Sequence, residues 1–297
     1  MQGTTEQNSE SEASEKASGQ WYRSVGLRIV TSVIVIPVVL VFVWFGGWWG
    51  FAASLFVVVL GTYELHMMML HSGHHPLLLV SLGLSTLILV SAMLPSPQVR
   101  LSLLEFGFGG ALLISFPWLF TRKKLDGALV DWALTLAFSI YLGWSMSFLL
   151  LLRGYQVGWP LPHGVWWLLE ALIGVWTFDT TAFFTGRFLG RHKLAPRISP
   201  GKTWEGAVGG LVFTIIVSLL ITFGPLGVPW YLAILLGVLI AVAAVLGDLA
   251  ESLIKRQTHV KDSGQIMPGH GGILDRIDSM LFVLIVVYLF ARLFGML

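Results

Sequence analysis

Asp248, Glu251, Ser252 and Lys255 stand at i, i+3, i+4 and i+7 near the end of a long apolar run. On a helix that spacing puts all four side chains on one face. Ala244-Val245-Leu246-Gly247 precedes Asp248 directly, and an unpaired carboxylate at such a depth is costly. Asp275 and Asp278, three apart, open the next apolar run. They share one side of a helix and sit at the positive end of its dipole. His270-Gly271-Gly272 lies just before them. Two glycines let a backbone approach a ligand closely and present N–H groups to an anion. Hard cations such as Mg²⁺ take oxygen ligands, commonly one or two carboxylates plus phosphate oxygens. Three aspartates set among Lys255, Arg256, Lys261 and Arg276 therefore suit a metal-and-phosphate site, although nothing in them identifies a nucleotide. Plainer readings stay open: Lys255 and Arg256 as a solvated helix end, Asp275 and Asp278 as helix caps, His270 as a structural residue.

A second polar stretch runs from Asp179 to Glu205. Asp179 falls inside an apolar span, and an ionisable group at membrane depth points to function; a structural ion pair is the alternative. Ser199-Pro200-Gly201-Lys202-Thr203 has the flavour of a phosphate loop without the Walker spacing. Ser199 and Lys202 are candidates for phosphate contact, against a reading as a basic loop at a lipid surface. His71, His74 and His75 share a short loop with no carboxylate neighbours in sequence, which makes a metal site there a compositional guess. Gly206 and Gly210 form a small-xxx-small pair, read as close helix packing sooner than as a dimer contact.

The elements that must position these residues are membrane helices. The 297 residues are 56% hydrophobic and 11% charged, with a mean hydropathy of +0.80. Soluble domains carry roughly twice that share of charge. The absence of cysteine excludes disulfides, thiolate metal sites and Cys nucleophiles. Residues 1–20 are polar and rich in Ser and Glu, so they read as a disordered cytoplasmic tail. No basic leader precedes the first apolar run, so a retained helix is expected rather than a cleaved signal. Residues 21–297 then form one membrane-embedded domain, with its active site mainly within 179–278.

A membrane helix needs about 20 mostly apolar residues. Nine stretches approach this: 24–45, 48–70, 77–94, 100–120, 128–152, 164–187, 204–224, 229–254 and 274–296. Glu105 and nearby glycines interrupt the fourth. The fold class expected is all-α, a polytopic membrane protein of about nine spans. A cytoplasmic N-terminus puts 15 of the 18 lysines and arginines inside and only Arg100, Arg153 and Arg292 outside, as the positive-inside rule requires. Trp48, Trp49, Trp159, Trp166, Trp167 and Trp230 fall near the ends of spans, as an aromatic belt would.

The segment Ser252-Leu253-Ile254-Lys255-Arg256, four residues, Lys261-Asp262-Ser263-Gly264, and then Pro268 to Asp278 (PGHGGILDRID) resembles the signature of phosphatidate cytidylyltransferases, also called CDP-diacylglycerol synthases. It spans 27 consecutive residues; Met267 departs from the usual Leu, Ile or Phe. Arg197-Ile198-Ser199-Pro200 and Lys202-Thr203-Trp204-Glu205-Gly206 are similar to the same family. The N-terminal half matches mainly in being apolar.

The resemblance implies transfer of CMP from CTP to phosphatidate. It implies Mg²⁺ held by Asp248 and Asp275, with a second cation such as K⁺. Catalytic candidates are Asp248, Lys255, His270, Asp275 and Asp278. Substrate contacts would come from Asp179, Ser199, Lys202, Glu205, Ser252, Arg256, Lys261, Asp262, Gly271, Gly272 and Arg276. CTP, phosphatidate and the bilayer are the expected partners, a homodimer is allowed, and no nucleic acid is expected. The place is the inner (plasma) membrane, multi-pass, with the site facing the cytoplasm. A CTP-dependent polyprenol or phytol kinase is the nearest rival; an ion-coupled transporter is a rival of another class.

Overall fold

The computed structural model describes residues 36–123, 125–154, 161–264 and 271–297. The expected tail at 1–20, most of the first span, Trp159 and His270 lie outside the described residues.

Apolar runs become helices because a helix satisfies its backbone without water. In chain order they are α1 (Ile36–Phe45), α2 (Gly47–His71), α3 (Leu78–Met93), α4 (Pro97–Phe120), α5 (Ala128–Phe138) and α6 (Ser145–Arg153). Then follow α7 (His163–Leu189), α8 (Trp204–Ser218), α9 (Trp230–Gln257) and α10 (Leu274–Leu293). A π-helical segment, Ser139–Trp144, joins α5 to α6 into one rod, and another, Leu219–Phe223, extends α8. The break between α1 and α2 is Gly46, at φ 58°, a backbone shape that side chains resist. Arg153 seals that break by donating to Val43 O at 2.6 Å and Trp44 O at 2.7 Å.

Five of these rods are long and apolar enough to cross a membrane: Gly47–His71, Pro97–Phe120, Ala128–Arg153, Trp204–Phe223 and Trp230–Gln257. The fourth span, interrupted in sequence, is a continuous helix, and its Gly107 makes room for Leu87 of α3. Leu79, Phe106, Phe120 and Leu293 leave most of their surface uncovered, which suits lipid and not water.

The all-α class holds, with one small element added and one expectation corrected. The connection after α7 contains an antiparallel hairpin, β1 (Lys193–Ala195) and β2 (Ser199–Thr203), with Lys193 opposite Thr203 and Ala195 opposite Ser199. Its period is too short to show in the sequence. Trp167 is no belt residue: it is 1% exposed in the core, whereas Trp48, Trp49 and Trp230 are open. The histidine loop also has an acidic neighbour that sequence spacing hid. Asp131 of α5 accepts the His75 N–H at 2.8 Å and pairs with Arg122 and His74.

Small residues set how closely the helices pack. Gly206 and Gly210 of α8 lie against α7, where an added Cβ would meet Ala182 O at 2.7 Å and the Phe178 ring at 2.6 Å. This pair is therefore an intrachain contact. Gly247 of α9 lies against α10, with the Asp278 carbonyl oxygen 2.5 Å and Ser279 Cα 2.8 Å from where its Cβ would be. Ser279 Oγ donates across the same seam to Ala244 O at 3.1 Å. Gly247→Val should force α9 from α10, lowering stability by about 1–3 kcal/mol as core overpacking does; a detergent melt followed by tryptophan fluorescence measures it.

Candidate active site

The hairpin and the ends of α7, α8, α9 and α10 meet around the residues singled out from the sequence. Thr203 starts α8 by accepting the Gly206 N–H on its Oγ1 at 3.1 Å, an N-cap. Trp204 N–H donates to His192 O at 2.9 Å and closes the hairpin's base. Glu205 accepts the Arg191 N–H at 3.1 Å, the His192 N–H at 3.2 Å and faces His192 Nδ1 at 2.6 Å. Its carboxylate thus holds the turn into β1. Arg256 of α9 donates to Ile198 O at 3.2 Å and ties the hairpin tip to that helix.

So anchored, the hairpin walls a cavity of about 540 Å³ with α7, α8 and α9. Asp179, Arg187, Ser199, Lys202 and Asp248 supply its polar lining; Phe178, Phe183, Leu194 and Val245 supply apolar walls. Lys202 Nζ lies 2.6 Å from Asp248 Oδ2. Ser252 Oγ donates to Asp248 Oδ1 at 3.2 Å, one turn along α9. Asp179 feels Asp248, Lys202 and Arg276 electrostatically, and Asp278 feels both Asp248 and Asp179. Three aspartates from three helices therefore share one field, with Lys202 among them.

A second charged group lies two turns further along α9, roughly 10 Å of helix rise. Lys255 Nζ sits 2.6 Å from Glu251 Oε2 and 2.6 Å from Asp275 Oδ1. Glu251 is fully buried. Asp275 Oδ2 accepts the Ser263 N–H at 2.9 Å and the Gly272 N–H at 2.8 Å, with Ser263 Oγ at 2.8 Å. The Gly272 amide therefore faces Asp275 and not a ligand. Gly271 holds φ 82°, and a Cβ there would press on Asp275 Oδ2 at 2.6 Å. Lys261 and Asp262 are exposed on the loop rim, and Arg276 is exposed at the start of α10.

The sequence reading missed Glu64 of α2. It is 3% exposed and accepts the Ile273 and Leu274 N–H groups, both at 2.9 Å. A lone glutamate inside an apolar run was the only available signal. Tyr141, on the π-helical segment, packs its ring against Phe282 of α10 at 6.4 Å between centroids.

Helices that deliver carboxylates and cations to one end of an apolar bundle suit the binding and transfer of a phosphate-bearing group, and the family comparison narrows the class. The model of the cytidylyltransferase family matches residues 26–294, and the chain belongs to that family. Among its relatives is the phosphatidate cytidylyltransferase of Brucella abortus, 36% identical over 277 residues, covering 90% of this chain and 93% of its own. The phosphatidate cytidylyltransferase of Synechocystis is 35% identical over 292 residues, covering 89% and 95%. That of Staphylococcus saprophyticus is 48% identical over 123 residues, covering 41% and 47%.

Lys255→Met should strand Glu251 and Asp275 as neighbouring unpaired carboxylates. Breaking such a pair from one side costs about 3–5 kcal/mol, so the thermal midpoint in detergent should fall sharply, and Lys255→Arg should recover part of the loss.

Proposed function

We propose that the protein is a phosphatidate cytidylyltransferase, which transfers CMP from CTP to phosphatidate and releases pyrophosphate. The observation that carries this reading is the cavity in which Lys202, Ser199, Asp179 and Asp248 face apolar walls. Such a lining suits a phosphate attached to acyl chains. A phosphatidate oxygen attacks the α-phosphorus of CTP; that P–O bond forms as the bond from the α-phosphorus to the β-phosphate oxygen breaks. The attacking oxygen is already anionic, so no strong general base is needed. Catalysis then rests on alignment and on charge placed where charge develops. Lys202 and Arg187 hold phosphate at the cavity; Lys261, Arg256 and Arg276 attract CTP to the rim.

The donor chemistry fits Mg²⁺. Asp248 offers hard oxygens at the cavity, and Asp275 offers Oδ1, the oxygen that now faces Lys255. Among the described residues no three metal-ligating side chains converge, so Asp248 and Asp275 would each offer one carboxylate, and an ion at either would take its other ligands from phosphate and water. When bound, the ion would neutralise charge on the triphosphate, and a monovalent cation such as K⁺ would share the site. His270 completes the proposed catalytic set.

The chain makes nine spans in the inner (plasma) membrane, its N-terminus and its site cytoplasmic. The inside excess of basic residues supports this. Lipid enters laterally and CTP from the aqueous side; a homodimer is compatible with the lipid-facing surface.

Purified protein given phosphatidate and CTP labelled at the α-phosphate should yield labelled lipid, while label at the γ-phosphate should leave as pyrophosphate. Lipid labelled only from the γ position would establish a kinase instead. Asp248→Asn should lower the rate at least about 100-fold, the scale of losing one key electrostatic group. The chain has no cysteine, so single cysteines report topology directly. A cysteine at Asp262 should resist an impermeant maleimide in intact cells, and one at Leu226 should react.

A further inference from the structure

The amino end of α10 is a ready-made anion site. Its first N–H groups lack intrahelical acceptors, and the helix dipole favours negative charge there. In a protein that handles two phosphate-bearing substrates, phosphate is the obvious occupant. The structure instead puts a carboxylate of its own at that position, brought from the opposite half of the chain.

Glu64 of α2 is buried, and each of its oxygens takes one of these amides. Oε1 accepts the Ile273 N–H and Oε2 the Leu274 N–H, both at 2.9 Å. The preceding amide, Gly272, is already held by Asp275. Two glycines admit the carboxylate. A Cβ on Gly264 would lie 2.6 Å from Glu64 Oε1, and one on Gly272 would collide with Glu64 and with Ser263 Oγ. These glycines make room for a protein carboxylate.

Ser263 links Glu64 to the site. Its hydroxyl lies 3.1 Å from Glu64 Oε2 and 2.8 Å from Asp275 Oδ2. A serine hydroxyl has one proton to donate. The two carboxylates therefore compete for one donor, and a change at Glu64 is felt at Asp275.

We infer that Glu64 is a positioning residue for the reaction: it holds Ser263 and the backbone of Ile273 and Leu274 together at the amino end of α10 and so fixes how Asp275 faces Lys255. The membrane half of the chain that lacks the signature motif thereby takes part in the active site. The inference rests on the cytidylyl-transfer reading only for its activity readout.

The test uses the full-length protein in detergent, as Glu64→Gln, Glu64→Asp, Ser263→Ala and the Glu64→Gln/Ser263→Ala double variant. The Mg²⁺ concentration for half-maximal activity should rise about 10- to 100-fold in Glu64→Gln, the usual effect of removing a group that orients a metal ligand. A loss of folded protein would lower the rate without moving that midpoint. Glu64→Asp keeps the charge and should recover part of the shift. Effects of Glu64→Gln and Ser263→Ala should be non-additive, since both act through one hydroxyl. Hydrogen exchange of the peptide spanning Ile273 and Leu274 should quicken at least tenfold in Glu64→Gln.

An unchanged Mg²⁺ midpoint in Glu64→Gln overturns the inference, whatever happens to the rate. If Glu64→Gln does not fold, Ser263→Ala decides: a shifted midpoint supports the inference and a wild-type midpoint overturns it. A wild-type protein that forms no liponucleotide sinks the cytidylyl-transfer reading alone; the exchange experiment then still decides whether Glu64 pins the segment.

Discussion

The Lys255 ammonium between Glu251 and Asp275 is the contact on which the arrangement at this membrane end depends. A charge carried on an apolar helix is expensive unless a neighbour answers it. Glu251 lies fully buried on α9, and Asp275 opens α10. One cation serves both, so the two helices must stay in register along their shared seam. Gly247 permits this by letting the backbones close to contact. Where α9 and α10 sit then determines where Asp248 and Asp278 point.

The rest of the site is arranged around that seam. On one side α7 and α8, drawn together by Gly206 and Gly210, support the hairpin that carries Ser199 and Lys202. On the other, α2 sends Glu64 to the amino end of α10, next to Asp275. The charged residues consequently fall into two tiers along α9. The tier at the cavity, with Asp179, Lys202 and Asp248, opens to ligand. The tier of Glu251, Lys255, Asp275 and Ser263 is closed on itself by hydrogen bonds. The open tier is suited to binding, and the closed one to keeping geometry fixed while substrates exchange.

Much of this was legible in the chain. The helices follow from apolar length, their breaks from Gly46 and from the polar loops, and the one-face spacing of Asp248, Glu251, Ser252 and Lys255 from helical period. The signature segment identified the family before any fold was known. What escaped was pairing across long separations. Glu64 meets residues some 200 positions away, and Asp131 meets the histidine loop from 56 away. Trp167 resembled a belt residue because hydropathy does not tell a lipid face from a protein face inside an apolar helix.

The sequence by itself determined that this is a helical membrane body with its chemistry at one end, because length, hydropathy and charge sign act locally along a chain. Only the tertiary structure decided which charges are partners. It put Lys202 on Asp248 and Lys255 on Asp275, and turned Gly272 toward a carboxylate where the sequence had suggested phosphate. The physical reason is range. A hydrogen bond acts over about 3 Å, so partners are set by how helices cross and not by their order along the chain.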